Sequence, residues 1–217
     1  MDLFNDLDPR KLDAKKQAFA ANATLLSGFA LPVENTLLAD LQQIIAVAPL
    51  RNMVTPGGFT MSVAMTNCGD FGWITDRKAY RYASLDPLSG KAWPALPDSF
   101  LQLAISAASE TGFANFVPDA CLINEYKMGV RMSLHQDRDE QDFSQPIVSV
   151  SLGLPAMFQF GGLQRADKTQ KIQLNHGDVL VWGGQSRLRF HGVFPLKAGN
   201  HALLGARRIN LTFRKAA

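Results

Sequence analysis

Residues 147–153 read IVSVSLG, and this stretch decides the fold because apolar and small residues alternate along it. Val148, Val150 and Leu152 alternate with serines at the period of two that is typical of a β-strand. The surrounding residues 143–164 carry no formal charge, and by length alone they resemble a membrane span. Two prolines and a pair of glycines interrupt this run, however. We therefore predict buried β-strands here.

Short apolar segments continue from residue 120 almost to the end of the chain, separated by glycine, proline, asparagine and aspartate. This spacing is typical of an all-β sandwich or barrel. The N-terminal half instead shows two helical patterns, one from Pro32 to Pro49 and one from Pro97 to Ser109. The predicted strands cover residues 120–126, 147–153, 157–160, 171–174, 178–182, 188–193 and 207–214.

Together these patterns predict an α+β fold, a double-stranded β-helix (jelly roll) with N-terminal helices packed on one sheet. The 217 residues are 47% apolar and show no break in composition, so we expect a single domain over residues 1–217. Residues of about 120–214 would form its jelly-roll core. Residues 1–20 have little apolar periodicity, which predicts loose order there.

The net charge of +3 permits transient binding to an anionic partner without the basic excess of a permanent nucleic-acid coat protein. Cys68 and Cys121 have no C-x-x-C spacing, which disfavours a disulfide framework or a zinc ribbon and favours free thiols in a reducing cytosol. The first 17 residues are dense in charge, unlike a signal peptide. We expect a cytoplasmic monomer with no membrane partner.

The segment SLHQDRDE, residues 133–140, contains the candidate metal ligands. His135 and Asp137 are separated by one residue, so their side chains share one side of an extended backbone. His191 lies in another strand-like run and can come next to His135 across a sandwich. Two imidazoles and one carboxylate favour a non-haem Fe(II) oxygenase over a structural zinc site with four closed ligands. A solvated loop remains the alternative, and His176 is interpreted as a turn residue.

The strand RRINLTFR, residues 207–214, places two arginines on one face at a period of two. Inward guanidinium groups need anions, and a dicarboxylate such as 2-oxoglutarate would satisfy both by charge-assisted hydrogen bonds. The alternative is an edge strand with a solvated face. The polar face consists of Arg208, Asn210, Thr212 and Arg214, and the core face of Ile209, Leu211 and Phe213.

In these motifs the chain resembles the AlkB family of Fe(II)- and 2-oxoglutarate-dependent nucleic-acid dealkylases. The resemblance covers residues of about 50–214 and rests on six motifs: SLHQDRDE, RFHGV, R-x-N-x-T-x-R, PGGFTMSVAMTNCGDFGW, CLINEY and SVSLGLPAMFQFGG. It implies oxidative removal of alkyl groups from bases such as 1-methyladenine and 3-methylcytosine in single- or double-stranded DNA, or in RNA. The reaction would use Fe(II), 2-oxoglutarate and O2, and release formaldehyde, succinate and CO2.

The resemblance also implies a role for each matching residue. The iron ligands would be His135, Asp137 and His191. Arg214 would hold the 2-oxoglutarate carboxylate nearest the metal, and the distal one would be held by Arg208, Asn210, Asn124 and Tyr126. Substrate would contact Met65, Trp73, Tyr80, Tyr82, Asp139 and Arg165, with Arg131 or Arg138 also available to phosphates.

Two further expectations concern substrate selection. Residues of about 50–90 would form a nucleotide-recognition lid, and the Asp139 carboxylate would favour a cationic damaged base, whereas Glu140 is assigned to the surface. Two other functions remain open: a 2-oxoglutarate-dependent hydroxylase of a protein or small molecule, and a non-catalytic cupin-like binder.

Overall fold

The structure, a computed structural model, describes residues 15–217. Both predicted helices form, and each ends near a residue that disfavours further helix. Helix α1 spans Glu34–Val47 and precedes Pro49, which lacks the backbone N–H that a helix needs. Helix α2 spans Asp98–Glu110 and precedes Gly112, whose φ of +95° suits only glycine. The helical periodicity therefore predicted both elements to within a few residues.

The strands follow the predicted alternation in the C-terminal half. Of the predicted segments, residues 188–193 form a strand only over the last three, because the chain before them makes a turn. In chain order the strands are β1 Lys16–Ala20, β2 Ala23–Leu26, β3 Arg51–Val54, β4 Thr60–Gly69, β5 Gly72–Thr75, β6 Tyr80–Ala83, β7 Ala120–Lys127, β8 Met132–His135, β9 Ile147–Gly153, β10 Ala156–Phe160, β11 Gln170–Leu174, β12 Val179–Trp182, β13 His191–Val193 and β14 Arg207–Arg214.

These strands form two main antiparallel sheets. The larger has eight strands in the order β1-β2-β12-β9-β14-β7-β4-β3, and the smaller has four in the order β11-β10-β13-β8. Strands β5 and β6 form a separate hairpin. The α+β prediction is confirmed, and two antiparallel sheets with an apolar core between them are the arrangement expected of a jelly roll.

The larger sheet is covered differently on its two faces. One face packs against both helices, where Phe213 of β14 meets Phe100 of α2 edge to face, with ring centroids 5.9 Å apart. The other face meets the smaller sheet, and the core there includes Trp182, Phe158 and Phe160. Because side chains alternate along β14, its arginine face points into this space between the sheets.

The N-terminal strand β1 lies at the edge of the larger sheet. Lys16–Ala20 pair with β2 as an edge strand, so the expectation of loose order is wrong for them, and residues 1–14 lie outside the described residues. The strand is short and begins with a lysine, a composition that edge strands tolerate.

No helix within residues 15–217 has the length and apolar character to cross a membrane.

Candidate active site

A β-sheet pairing brings the two candidate histidine ligands together. His135 ends β8 and His191 begins β13, and the two are register partners with ring centroids 4.4 Å apart. Gly192 permits this close pairing, because a Cβ at that position would lie 2.6 Å from the carbonyl oxygen of Met132. The structure therefore places the two histidines side by side, as the sequence predicted.

Asp137 follows β8 and completes a group of three ligand atoms. One ligand atom from each of His135, Asp137 and His191 lies within 4.8 Å of the others, and this is the one such group among residues 15–217. His135 Nε2 is 3.5 Å from Asp137 Oδ1, and His191 Nε2 is 3.7 Å from Asp137 Oδ2. The predicted spacing therefore does bring the H-x-D pair and the distant histidine to one point.

The outer hydrogen bonds of both histidines fix which nitrogen faces this point. His135 Nδ1 contacts the carbonyl oxygen of Ser133 at 2.8 Å, and His191 Nδ1 contacts that of Arg189 at 3.0 Å. A carbonyl oxygen can only accept, so each Nδ1 carries the proton and each Nε2 presents a lone pair. Three electron-pair donors thus face one another with no proton between them, which fits a bound cation.

Electrostatics keep His191 and Asp137 in their metal-binding protonation states. Burial lowers the pKa of His191 to about 4, with a further lowering from His135, so its imidazole is neutral near pH 7. Burial alone would raise the pKa of Asp137, but Arg214 and the two histidines outweigh it and hold that pKa well below its usual range. The site therefore offers the neutral imidazole of His191 and the carboxylate of Asp137 beside the ring of His135.

Arg214, at the end of β14, contacts the carboxylate of the triad directly. Its Nε and Nη2 both donate to Asp137 Oδ2, at 3.0 and 2.6 Å, and its Nε lies 3.3 Å from Glu140 Oε1. Although burial lowers the pKa of Arg214, these acidic neighbours raise it overall. Asp137 Oδ1 accepts no hydrogen bond from Arg214 and remains available to a metal ion.

Arg208 lies on the same face of β14 and is almost without partners. Its side chain is 1% exposed, yet within residues 15–217 its only hydrogen bond runs from Nη2 to Ser151 Oγ at 3.0 Å. In this part of the chain Nε and Nη1 are buried with no hydrogen-bond partner, and so is Asn124 Oδ1 on the neighbouring strand. A buried guanidinium is costly unless an anion pairs with it. This pocket therefore fits a carboxylate ligand.

Two more predicted residues surround Arg208. Tyr126 is its register partner on β7, with the guanidinium 5.0 Å from the ring centroid, and burial raises the pKa of this tyrosine. Asn210 stands opposite Asn124 in the same register and donates to Ser149 Oγ at 2.8 Å. The structure thus brings all four residues predicted for the distal carboxylate into one buried cluster.

A cavity of about 700 Å³ opens beside the triad, large enough for a nucleobase. The predicted Met65, on β4, lines it together with Trp73 and Tyr80 from the β5–β6 hairpin. The two aromatic rings stack with centroids 5.7 Å apart and planes at 21°. Met61 and Val63, from the predicted lid segment TMSVAM, also line it. Sequence reasoning missed three other lining residues, whose apolar or small side chains gave no functional signal: Thr55, Leu122 and Phe190.

Charged side chains line the same cavity at its mouth. Asp139 accepts a hydrogen bond of 2.7 Å from Trp73 Nε1, so the predicted base-binding carboxylate and aromatic residue are in contact. Arg165 is exposed and donates to the carbonyl oxygen of Leu134 at 2.6 Å. Arg131 and Arg138 are also exposed and line the cavity.

The positions of two residues differ from the predictions. Glu140 is 6% exposed, so its assignment to the surface is wrong: Arg187 donates to its Oε2 at 2.9 Å and Tyr82 to its Oε1 at 2.6 Å. Tyr82 lies outside the cavity wall, and its hydroxyl also accepts a bond from Arg214 at 3.4 Å. Burial raises its pKa well above the usual value. A substrate contact for Tyr82 therefore has no support from its position.

Arg187 is the buried residue that sequence reasoning missed. It is 2% exposed, and its pattern in the sequence, QSRLRF, does not distinguish it from the half-buried Arg189. The interpretation of His176 as a turn residue agrees with its contacts: its Nδ1 accepts from the backbone N–H of Gly153 at 2.9 Å, and its Nε2 bonds to Glu34. It is not part of the metal-ligand group.

Comparisons with known proteins agree with this site. The family model described as the 2OG-Fe(II) oxygenase superfamily matches residues 22–214. The alpha-ketoglutarate-dependent dioxygenase AlkB of Salmonella typhimurium is 55% identical over 217 residues, which cover 100% of this chain and 98% of that protein. The protein of the same name from Escherichia coli is 53% identical over 216 residues, again covering 100% and 98%.

A solved structure, that of OsALKBH1, superposes with a TM-score of 0.80 at 30% identity, covering 93% of this chain and 100% of that one. The family match and the two relatives extend over nearly the whole chain, far beyond the metal-binding segment. This chain belongs to the AlkB family of the 2OG-Fe(II) oxygenase superfamily, and it is a dioxygenase that uses Fe(II), 2-oxoglutarate and O2.

Proposed function

We propose that this dioxygenase oxidatively removes alkyl groups from bases such as 1-methyladenine and 3-methylcytosine in nucleic acid. Members of its family act on nucleic acids. The observation that carries the proposal is the cavity itself, where a stacked aromatic pair and the Asp139 carboxylate stand beside the His135, Asp137 and His191 group. A planar cationic ring is the ligand that matches these walls best.

The chain's own residues would hold the two cofactors. His135 Nε2, His191 Nε2 and the Asp137 carboxylate would bind Fe(II), a 2-His-1-carboxylate set that leaves positions open. Arg208 would pair with the distal carboxylate of 2-oxoglutarate, assisted by Asn124, Tyr126 and Asn210, and Arg214 with the carboxylate nearer the metal. When bound, iron and 2-oxoglutarate would activate O2 for oxidation of the N-alkyl carbon to a hydroxyalkyl group.

The cavity residues would position the base and select its charge. A base must leave the stack to enter, which costs least at damaged or unpaired positions. The aromatic faces of Trp73 and Tyr80 and the flexible side chain of Met65 would contact the ring. Asp139 would pair with the cationic base, which favours 1-methyladenine and 3-methylcytosine over their neutral parents.

Exposed residues around the mouth would bind the nucleic-acid backbone. Arg165, Arg131 and Arg138 are cationic groups at the rim, and phosphate contacts of this kind position a strand without reading its sequence. We further propose that residues of about 50–90, which contain β4, β5 and β6, act as the nucleotide-recognition lid of a single domain. Seven of its residues line the base cavity, which supports this assignment.

We also propose that the protein acts as a cytoplasmic monomer on DNA, single- or double-stranded, and on RNA. Cys68 and Cys121 are buried register partners on β4 and β7, and both are free thiols, which supports a reducing compartment. Size-exclusion chromatography with light scattering tests the oligomeric state, and a mass near twice 23.8 kDa would contradict it.

The decisive test is mass spectrometry of an oligonucleotide with one 3-methylcytosine after incubation with the protein, Fe(II), 2-oxoglutarate and air. We expect the mass of the unmodified cytosine product, with equal amounts of formaldehyde and succinate. An unmethylated oligonucleotide serves as the control. Succinate formation without repair of methylated DNA or RNA would instead support a hydroxylase of a protein or small molecule.

A further inference from the structure

The loop between β8 and β9, residues 136–146, carries the functional carboxylates but has no regular secondary structure. Sheet pairing fixes His135 and His191, whereas Asp137 and Asp139 lie beyond the end of β8 and have no ladder partner. Their placement must therefore come from other contacts. Ligand geometry within a few tenths of an ångström is needed for metal binding, so these contacts matter for function.

Arg214 binds the carboxylate of Asp137, and Arg187 supplies three further hydrogen bonds to the loop. Its Nη1 donates to the backbone oxygen of Asp137 at 2.7 Å, its Nη2 to Glu140 Oε2 at 2.9 Å, and its Nε to the backbone oxygen of Gln145 at 3.0 Å. Its guanidinium also lies 5.4 Å from the ring centroid of Phe143. One buried, planar group thus binds the loop near its start, middle and end, a geometry that lysine cannot reproduce.

Arg187 also belongs to the segment that carries the second histidine. It stands four positions before His191, and the next residue, Leu188, accepts a hydrogen bond of 2.6 Å from Gln136 Nε2. The contacts of residues 187–188 therefore connect the Asp137 loop to the segment that leads into β13. They set the distance between the two ligand-bearing parts of the chain where no sheet hydrogen bond does so.

Glu140 extends this connection to the aromatic wall of the cavity. One of its oxygens pairs with Arg187, and the other accepts from the hydroxyl of Tyr82 on β6. The β5–β6 hairpin also carries Trp73, which donates to Asp139. One of the two hydrogen bonds between the hairpin and the loop thus ends on Glu140, whose carboxylate Arg187 also binds.

From these contacts we propose that Arg187 is a positioning residue: it fixes Asp137 relative to His191 and, through Glu140, the β5–β6 wall relative to the metal. The proposal rests on the Fe(II) site of the proposed function but not on the nucleic-acid substrate. Residues that orient metal ligands typically change metal affinity about 10- to 100-fold when replaced. Arg187 should belong to this group although it touches neither metal nor substrate.

The test measures Co(II) binding by visible absorption, without nucleic acid, for the wild type and Arg187→Lys. We expect an affinity at least about 10-fold lower and a changed ligand-field spectrum, since lysine keeps the charge but loses the fork. Arg51→Lys is the matched control, because Arg51 forms a similarly buried bidentate pair with Asp86 away from the triad. Its Co(II) affinity should remain that of the wild type.

A second variant separates positioning from simple stability. Glu140→Gln keeps both backbone contacts of Arg187, so its Co(II) affinity should change less than that of Arg187→Lys. If Arg187→Lys does not fold, the double variant R187M/E140L takes its place, because it removes both charges of the buried Arg187–Glu140 pair. Wild-type Co(II) affinity in the folded Arg187 variant, or an equal loss in Arg51→Lys, would overturn the proposal. Failure of the repair assay alone would leave this result unaffected.

Discussion

Replacing Arg208 by methionine should have opposite effects on stability and on co-substrate binding. In the structure the buried guanidinium keeps two N–H groups, Nε and Nη1, without any protein partner. Leaving a charge in this state is costly, and an apolar side chain of similar volume in its place is often neutral or stabilising by about 1–4 kcal/mol. We therefore expect R208M without 2-oxoglutarate to unfold at the same temperature as the wild type or a few degrees higher.

The affinity for 2-oxoglutarate should fall strongly in the same variant. Each charge-assisted hydrogen bond contributes about 1.5–3 kcal/mol, and the two free donors of Arg208 are both available to one carboxylate. Even the lower limit, about 3 kcal/mol for two bonds, corresponds to a rise in Kd on the order of 100-fold. The wild type should thus gain stability on adding 2-oxoglutarate, and R208M should gain little.

Differential scanning fluorimetry and calorimetric titration with 2-oxoglutarate, with Mn(II) in place of Fe(II), measure both quantities. Arg207→Met is the matched control: Arg207 is the preceding residue on β14, points to the other side and pairs with Glu125 at 3.0 Å. This control should leave the titration unchanged. An unaltered Kd in R208M, or a large loss of its stability without ligand, would show that Arg208 is a structural residue and not a co-substrate site.

Three further predictions concern the metal and the base. Asp137→Ala should abolish Co(II) binding and succinate formation in a protein that still folds, with a lower melting temperature because buried Arg214 loses two hydrogen bonds. Residual turnover would exclude Asp137 as a ligand. Asp139→Asn should lower repair of cationic 3-methylcytosine more than that of a neutral adduct in the same oligonucleotide, so a constant ratio of the two rates would contradict base recognition by charge. The pKa of His191 in the folded state, about 4, lies below its ordinary value of 6.5. The contribution of His191 to stability is therefore complete above pH 6.5 and is lost as the pH falls towards 4. In urea melts without metal, the stability of His191→Asn should depend less on pH across this range, and a slope identical to that of the wild type would refute the buried neutral state.

Periodicity predicted those parts of the fold and site that regular secondary structure positions. The helical faces became α1 and α2, and the H-x-D spacing correctly placed His135 and Asp137 beside the strand of His191. The short strand β8 was missed, because the alternation in MSLH extends over only four residues. Its existence depends on pairing with β13, a long-range contact that no local pattern records.

The error at Glu140 has the same cause. A glutamate in a run of charged residues is usually exposed, and only the approach of Arg187 and the Tyr82 hydroxyl makes its burial favourable. These three residues are far apart in the sequence, and none lies at a period that indicates a shared environment. Contacts of irregular segments are set by the packed structure, and so they could not be predicted from sequence spacing.

Strand β14 explains why the co-substrate half of the site was nevertheless predictable. Its pairing with β7 on one side and β9 on the other fixes a register in which Ile209, Leu211 and Phe213 face the helices. The same register turns Arg208 and Arg214 into the space between the sheets, and a shift by one residue would exchange the two faces. Such a shift would bury guanidinium groups against the helices and remove both arginines from the site. The packing of the core therefore holds Arg208 and Arg214 in place, whereas the backbone of the Asp137 loop is bound by Arg187, a side chain outside any strand.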